Sequence, residues 1–237
     1  MKAGLAFCHI SIPSIESVSD RLHLLLQCAI VALQNNCLPQ TDTFLKAAIS
    51  LVPEMPLTEE VDYKKFSTEP KLASLLCSFL GLLVVVPGSP EHGPFYLVQG
   101  FLNAVPRFGW NESGGAEVGV YIEMLGLLGA FAQRSLPYHV DGVDSNDTLY
   151  GGSKEYCEEL DELVESVMKL IVEKLTKLGE LGEGGGGGEC ECECEGEGEE
   201  REGGPERAFS GAGEQAAGGY GGGRGVLEVL QKTAYGG

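Results

Sequence analysis

Between Leu22 and Pro53, apolar residues recur at three- and four-residue spacing in two runs separated by a polar break. Leu22, Leu25, Leu26, Ala29, Ile30 and Leu33 fall on one face of a first helix. Asn35 and Asn36 end it. Pro39 then suits the first turn of a second helix, where its missing N–H goes unneeded, and Phe44, Leu45, Ala48, Ile49 and Val52 line the inner face. A connection of about four residues forces the two helices antiparallel. Such a hairpin cannot bury both of its faces, so it requires neighbours like itself.

Further helices supply them. Residues 1–13 are apolar and read as the remnant of a helix that starts upstream, with Ser14 as the next N-cap and Glu16 in the turn it opens. Residues 54–70, rich in charge and carrying two prolines, read as a loop. A third helix over 70–86 is apolar on nearly all sides and must be covered on more than one flank. A fourth follows Pro94, with Phe95, Leu97, Val98, Phe101, Leu102 and Val105 as its stripe. A fifth, 116–133, is expected to pair with it. Gly119, Gly126 and Gly129 weaken that helix by about 1 kcal/mol each, so tight packing is expected to compensate. Residues 135–152 are polar and turn-rich. The last helix, 154–178, places Leu160, Leu163, Val164, Val167, Met168, Ile171, Leu175 and Leu178 on one face, with Glu165–Lys169 and Glu173–Lys177 as acid-first pairs on the other. No strand pattern is visible between Met1 and Gly179.

Helix pairs starting near residues 16, 70 and 115 make the fold class all-α, an α-solenoid of irregular antiparallel helix pairs, HEAT-like, with a compact bundle as the alternative. Stacked repeats without a terminal cap leave an apolar face bare, so the isolated chain is expected to self-associate. Composition divides the chain into residues 1–179, the solenoid fragment, and 180–237, a disordered Gly/Glu-rich tail. The tail holds 20 of the 35 glycines and 13 acidic against 4 basic residues. The net charge is −19, shared between tail and body. Such a balance argues against sequence-independent nucleic-acid binding and against docking on anionic lipid. The most apolar run, 72–86, is short for a membrane span of about 20 residues, so no membrane insertion is expected.

Candidate chemistry is sparse. Cys8, Cys28, Cys37, Cys77 and Cys157 are odd in number and scattered, which fits free thiols in a reducing, cytosolic compartment. A short apolar run at 4–8 resembles a secretory start, but His9 breaks it. Asp144, Asn146, Thr148, Tyr150, Gly152 and Glu155 match the ligand positions of a calcium loop in outline. Leu149 occupies the position where that loop requires glycine, so the favoured reading is a helix-linking loop with Asx turns and caps. Cys190, Cys192 and Cys194 alternate with glutamate, without C-x-x-C spacing or a fourth ligand; a translated hexanucleotide repeat explains them better than a metal site. The tail is thus either low-complexity sequence or a gene-model artefact. GYGGGRG lacks the strand and helix of a dinucleotide site. His9, His23, His92 and His139 lie far apart, with no nucleophile set beside them. No catalytic residue, cofactor or metal is assigned. The alternative is an all-α metal-binding or enzymatic module using the 144–155 loop or the Cys190–Cys194 cluster.

Four stretches read together carry a resemblance: AFCHISIPS at 6–14, ALQNNCLPQTDTFLKAAISLVPEMP at 32–56, VPGSPEHGPFYLVQGFLN at 86–103 and YHVDGVDSNDTLYGG at 138–152. They resemble the vacuolar-protein-sorting-35-like scaffold subunits of the retriever complex, over residues 1–179 and in the C-terminal part of a much longer protein. Residues 55–69 and 111–119 fit less well. The resemblance implies a non-catalytic scaffold in a heteromeric complex, cytoplasmic and peripheral at endosomes, which recycles membrane cargo from endosomes to the cell surface. It also implies that the C-terminal helices seat a small subunit of metallophosphoesterase fold. Relative to that family, the chain is expected to lack the long N-terminal part and the helices that complete the solenoid. The candidate protein-contact loop comprises Tyr138, His139, Asp144, Asn146, Asp147 and Tyr150.

Overall fold

The computed structural model describes residues 1–183, apart from 62, 90 and 134; the Cys190–Cys194 cluster and GYGGGRG lie outside the described residues. Helices α1 (Lys2–Ser11), α2 (Val18–Gln34) and α3 (Leu38–Leu51) are followed by strands β1 (Thr58–Val61) and β2 (Lys64–Ser67). Then come α4 (Glu69–Leu83), α5 (Tyr96–Ala104), α6 (Ala116–Phe131), α7 (Asn146–Tyr150) and α8 (Lys154–Glu183).

The α2–α3 hairpin forms as the spacing predicts. Its cap is Ser17 rather than Ser14: the Ser17 hydroxyl accepts the Asp20 N–H at 3.2 Å, while Ser14 sits in a 3-10 turn and donates back to the Ser11 carbonyl at 2.6 Å. Ser14 misleads because it is followed by a further extended residue, Ile15, before the helical backbone begins. At the tip of the hairpin Asn36 takes a left-handed conformation, φ +54, which asparagine tolerates better than most residues. Pro39 lies in the first turn of α3.

The remaining helices stack in two layers, as an α-solenoid does. Helices α2, α4, α6 and α8 are neighbours in turn, and α3 lies on α5 in the second layer. The fifth expected helix therefore packs chiefly between α4 and α8, not on the fourth. Short connections make adjacent helices antiparallel, but the covered flanks of α4 and α6 decide which neighbours they take. Eight side chains of α4 are buried, Phe79 among them, and Phe79 stacks on Phe101 of α5 at 5.2 Å.

Residues 54–70 correct the loop expectation. They hold an antiparallel hairpin in which Glu59 faces Phe66, tied back by the Thr68 N–H to the Leu57 carbonyl at 3.1 Å and by Lys71 to Glu59 at 3.1 Å. All four residues of β2 are exposed. A strand buried on neither face has no hydrophobic alternation to betray it.

Two further corrections concern helix faces. On α8, Leu160, Leu163, Val167 and Ile171 are buried, whereas Met168 and Leu175 are 45% and 51% exposed and join Val172 on a solvent flank. On α6, a Cβ at Gly126 or Gly129 meets nothing within 4 Å, so close packing among the described residues does not offset those glycines. The α6–α8 contact instead contains a buried carboxylate. Glu117 accepts from the Tyr121 hydroxyl at 3.1 Å and pairs with Lys174 at 2.6 Å. Burial foremost, and then the Glu117 charge, push the Tyr121 phenol up. The Glu165–Lys169 and Glu173–Lys177 pairs form at 2.8 and 2.7 Å on the solvent side.

Candidate functional site

The polar segment after α6 is fixed to the core at several separate points. Asn146, first residue of the five-residue helix α7, is 2% exposed and its Oδ1 accepts the Gly88 N–H at 2.7 Å, across 58 positions of sequence. That bond satisfies a buried amide in the α4–α5 connection which would otherwise cost about 1–3 kcal/mol. Asp147 accepts the Leu136 N–H at 3.1 Å and the Ser145 hydroxyl. These bonds, the Ser145 hydroxyl first, with the Leu136 and Thr148 amides and the nearby His139 adding to them, outweigh burial and hold the Asp147 carboxyl below its ordinary range.

Gly142, at φ +76, lies against the α2–α3 tip: a Cβ there would sit 2.7 Å from the Asn36 amide nitrogen. Only glycine combines that conformation with that approach. At the other end, Tyr150 stacks parallel on Tyr156 of α8 at 6.0 Å, and Tyr156 in turn lies 4.8 Å from Phe95. The Tyr156 hydroxyl donates to the Phe131 carbonyl at 3.2 Å, and burial pushes it up to about 12.

The predicted contact residues thus divide. Asn146, Asp147 and Tyr150 are engaged inside the fold, Asn146 completely. Tyr138, His139 and Asp144 remain on the surface, held on a loop whose backbone is pinned beneath them. The calcium-loop outline is not realised, because 146–150 winds as a helix and the Asn146 oxygen is already used. Among the described residues no group of three His, Cys, Asp or Glu side chains is placed to hold a metal ion. The five cysteines of the described residues are free; burial pushes Cys28 and Cys77 up to about 11, well away from nucleophilic thiolates. His9 packs edge-on against Phe44 at 5.7 Å, and His92 meets the Ser89 hydroxyl at 3.2 Å near the start of α5.

Beside the loop, Tyr96 of α5 donates to Asp42 of α3, and Lys46 both pairs with Asp42 at 2.9 Å and lies over the Tyr96 ring at 4.9 Å. Desolvation and the Asp42 carboxylate push the Tyr96 phenol up. Sequence reading did not reach this triad, nor Gly88, Gly142 or Tyr156. The positive φ at Gly142 had a visible signal, the Asp-Gly pair at 141–142; a buried backbone amide at Gly88 had none. The four stretches that carry the resemblance are brought together here. Asn36 meets Gly142, Gly88 meets Asn146, Asp42 meets Tyr96, and His9 meets Phe44.

Comparison with known proteins agrees with this placement. The family model described as the VPS35L C-terminal domain matches residues 1–184. The Mus musculus protein described as VPS35 endosomal protein-sorting factor-like is 43% identical over 180 residues, covering 76% of this chain and 19% of its own length. The Homo sapiens protein of the same description is 42% identical over 180 residues, with the same coverage of each chain. The Dictyostelium discoideum protein is 41% identical over 178 residues, covering 75% of this chain and 18% of its own. The chain therefore spans less than a fifth of the length of these curated relatives.

Proposed function

Because the chain belongs to the VPS35L C-terminal domain family, we propose that it acts as a non-catalytic scaffold in endosomal protein sorting, as part of a retriever-type assembly that returns membrane cargo to the cell surface. The family membership supports the sorting role, and the two-layer helical stack supports a scaffold that works by presenting surfaces. In this reading the protein is cytoplasmic and peripheral at endosomes, held there by partner subunits. No helix among the described residues is long and apolar enough to cross a membrane.

In this reading the C-terminal helices seat the small metallophosphoesterase-fold subunit, and the exposed rim of the 138–152 loop contributes contacts to that seat through Tyr138, His139 and Asp144. The observation that carries this is the anchoring of the loop: Asn146 to Gly88 on one side and Gly142 against Asn36 on another fix the backbone under that rim. A rim held in one conformation binds without an ordering cost. The test is a pull-down of the full chain against the purified small subunit. Wild-type protein is retained, and Tyr138→Ala combined with Asp144→Arg lowers affinity by roughly tenfold or more at unchanged helical circular dichroism. Absence of wild-type retention contradicts the partner; full retention of the double variant moves the seat off this loop.

A further inference from the structure

Between α2 and α4 lies an open groove of ≈440 Å3. Its rims are two polar ladders, Asp20, His23 and Gln27 on α2 and Lys71, Ser74 and Ser78 on α4. Leu26, Ile30, Leu75 and Leu82 supply its apolar surface. Each side advances in helical steps for about 16 Å, close to three turns. The groove's volume lies within the range of specific recognition sites, about 300–1,000 Å3.

Two features at one end define what the groove lacks. Ser19 lines it and is 1% exposed, and its hydroxyl has no hydrogen-bond partner among the described residues. A buried hydroxyl left unpaired is costly, so a missing polar group is implied beside it. The charge balance is also incomplete. The Lys71 ammonium pairs with Glu59 at 3.1 Å, whereas Asp20 has no ion-pair partner among the described residues.

We propose that the α2–α4 groove receives a short amphipathic helix of a partner protein, about three turns long, whose apolar face covers the groove floor and whose lysine or arginine reaches the Asp20–Ser19 end. An ammonium offers several donors, enough to serve the Asp20 carboxylate and the orphaned Ser19 hydroxyl together. With a net charge of −19, the chain repels anionic lipid and nucleic acid and favours a basic peptide. The groove shares no residue with the loop rim proposed above, so failure of one leaves the other standing.

The test uses the full chain and a fluorescein-labelled synthetic helical peptide of about twelve residues, with leucines at three-and-four spacing and a lysine in its first turn. Its twin carries glutamate in place of that lysine. The lysine peptide binds roughly tenfold tighter than its twin at low salt, and Asp20→Lys reverses the order. Ser78→Trp, a rim change that fills the groove, abolishes binding of both at unchanged circular dichroism. Equal binding of the two peptides, an order unchanged by Asp20→Lys, or undiminished binding to Ser78→Trp overturns the proposal. So does a dimer in sedimentation velocity that Ser78→Trp dissolves, which assigns the groove to a second copy of the chain.

Discussion

Residues 54–70 and 135–152 are both polar, turn-rich connections between apolar helices, and the fold uses them in opposite ways. The first becomes a hairpin whose second strand is exposed throughout, with Tyr63 at its turn 97% exposed and at φ +63. The second buries Leu136, Val143, Ser145 and Asn146 and bonds to a connection 58 residues away. Polarity alone does not separate a segment that decorates a fold from one that completes it. The difference lies in where the buried backbone groups find partners: the hairpin pairs its own strands, whereas the later loop satisfies the buried Gly88 amide of the α4–α5 connection.

The contrast is sharpest at Asn146. Asn146→Leu is expected to destabilise by about 2–3 kcal/mol, because the Gly88 N–H loses its acceptor without gaining water; the urea midpoint reads this. Gly142→Ala places a Cβ in a left-handed position against Asn36, at an expected cost of about 1–2 kcal/mol. Asp147 gives a pH signature. Its folded carboxyl titrates below the unfolded one, so its contribution is present above the ordinary value of about 3.9 and is lost as pH falls through the folded value. Asp147→Asn should therefore shrink the loss of thermal stability below that pH while leaving other acids to act. At the hairpin the effects are small and one reverses sign. Tyr63→Gly should raise stability by about 0.5 kcal/mol, since glycine accepts the positive φ at less strain than tyrosine. Phe66→Thr should change it by less than about 0.5 kcal/mol. A large loss at Phe66 together with a silent Asn146→Leu would invert the comparison.

The helices were legible because burial imposes a period on sequence: Leu22 to Leu33 and Leu160 to Ile171 mark their buried faces by spacing alone. The period fails where a face is only partly covered, as at Met168 and Leu175, which continue the apolar stripe of α8 into solvent. It fails also for polar groups buried in pairs. Glu117 reads as an ordinary first-turn carboxylate, and its partner Lys174 lies on another helix. Of the candidate loop, position and polarity were legible, but not the division of labour within it. Whether Asn146 or Asp144 faces solvent depends on a backbone donor at Gly88 that no side-chain pattern announces.

Amide hydrogen exchange of the full chain, alone and with the purified small metallophosphoesterase-fold subunit, tests the central claim in one experiment. The account predicts that peptides covering 136–152 are protected in the free chain by roughly a hundredfold more than those covering 58–67, and that the subunit adds protection to the former and not the latter. Exchange at 136–152 as fast as at the hairpin, or subunit-induced protection confined to 58–67, would contradict it.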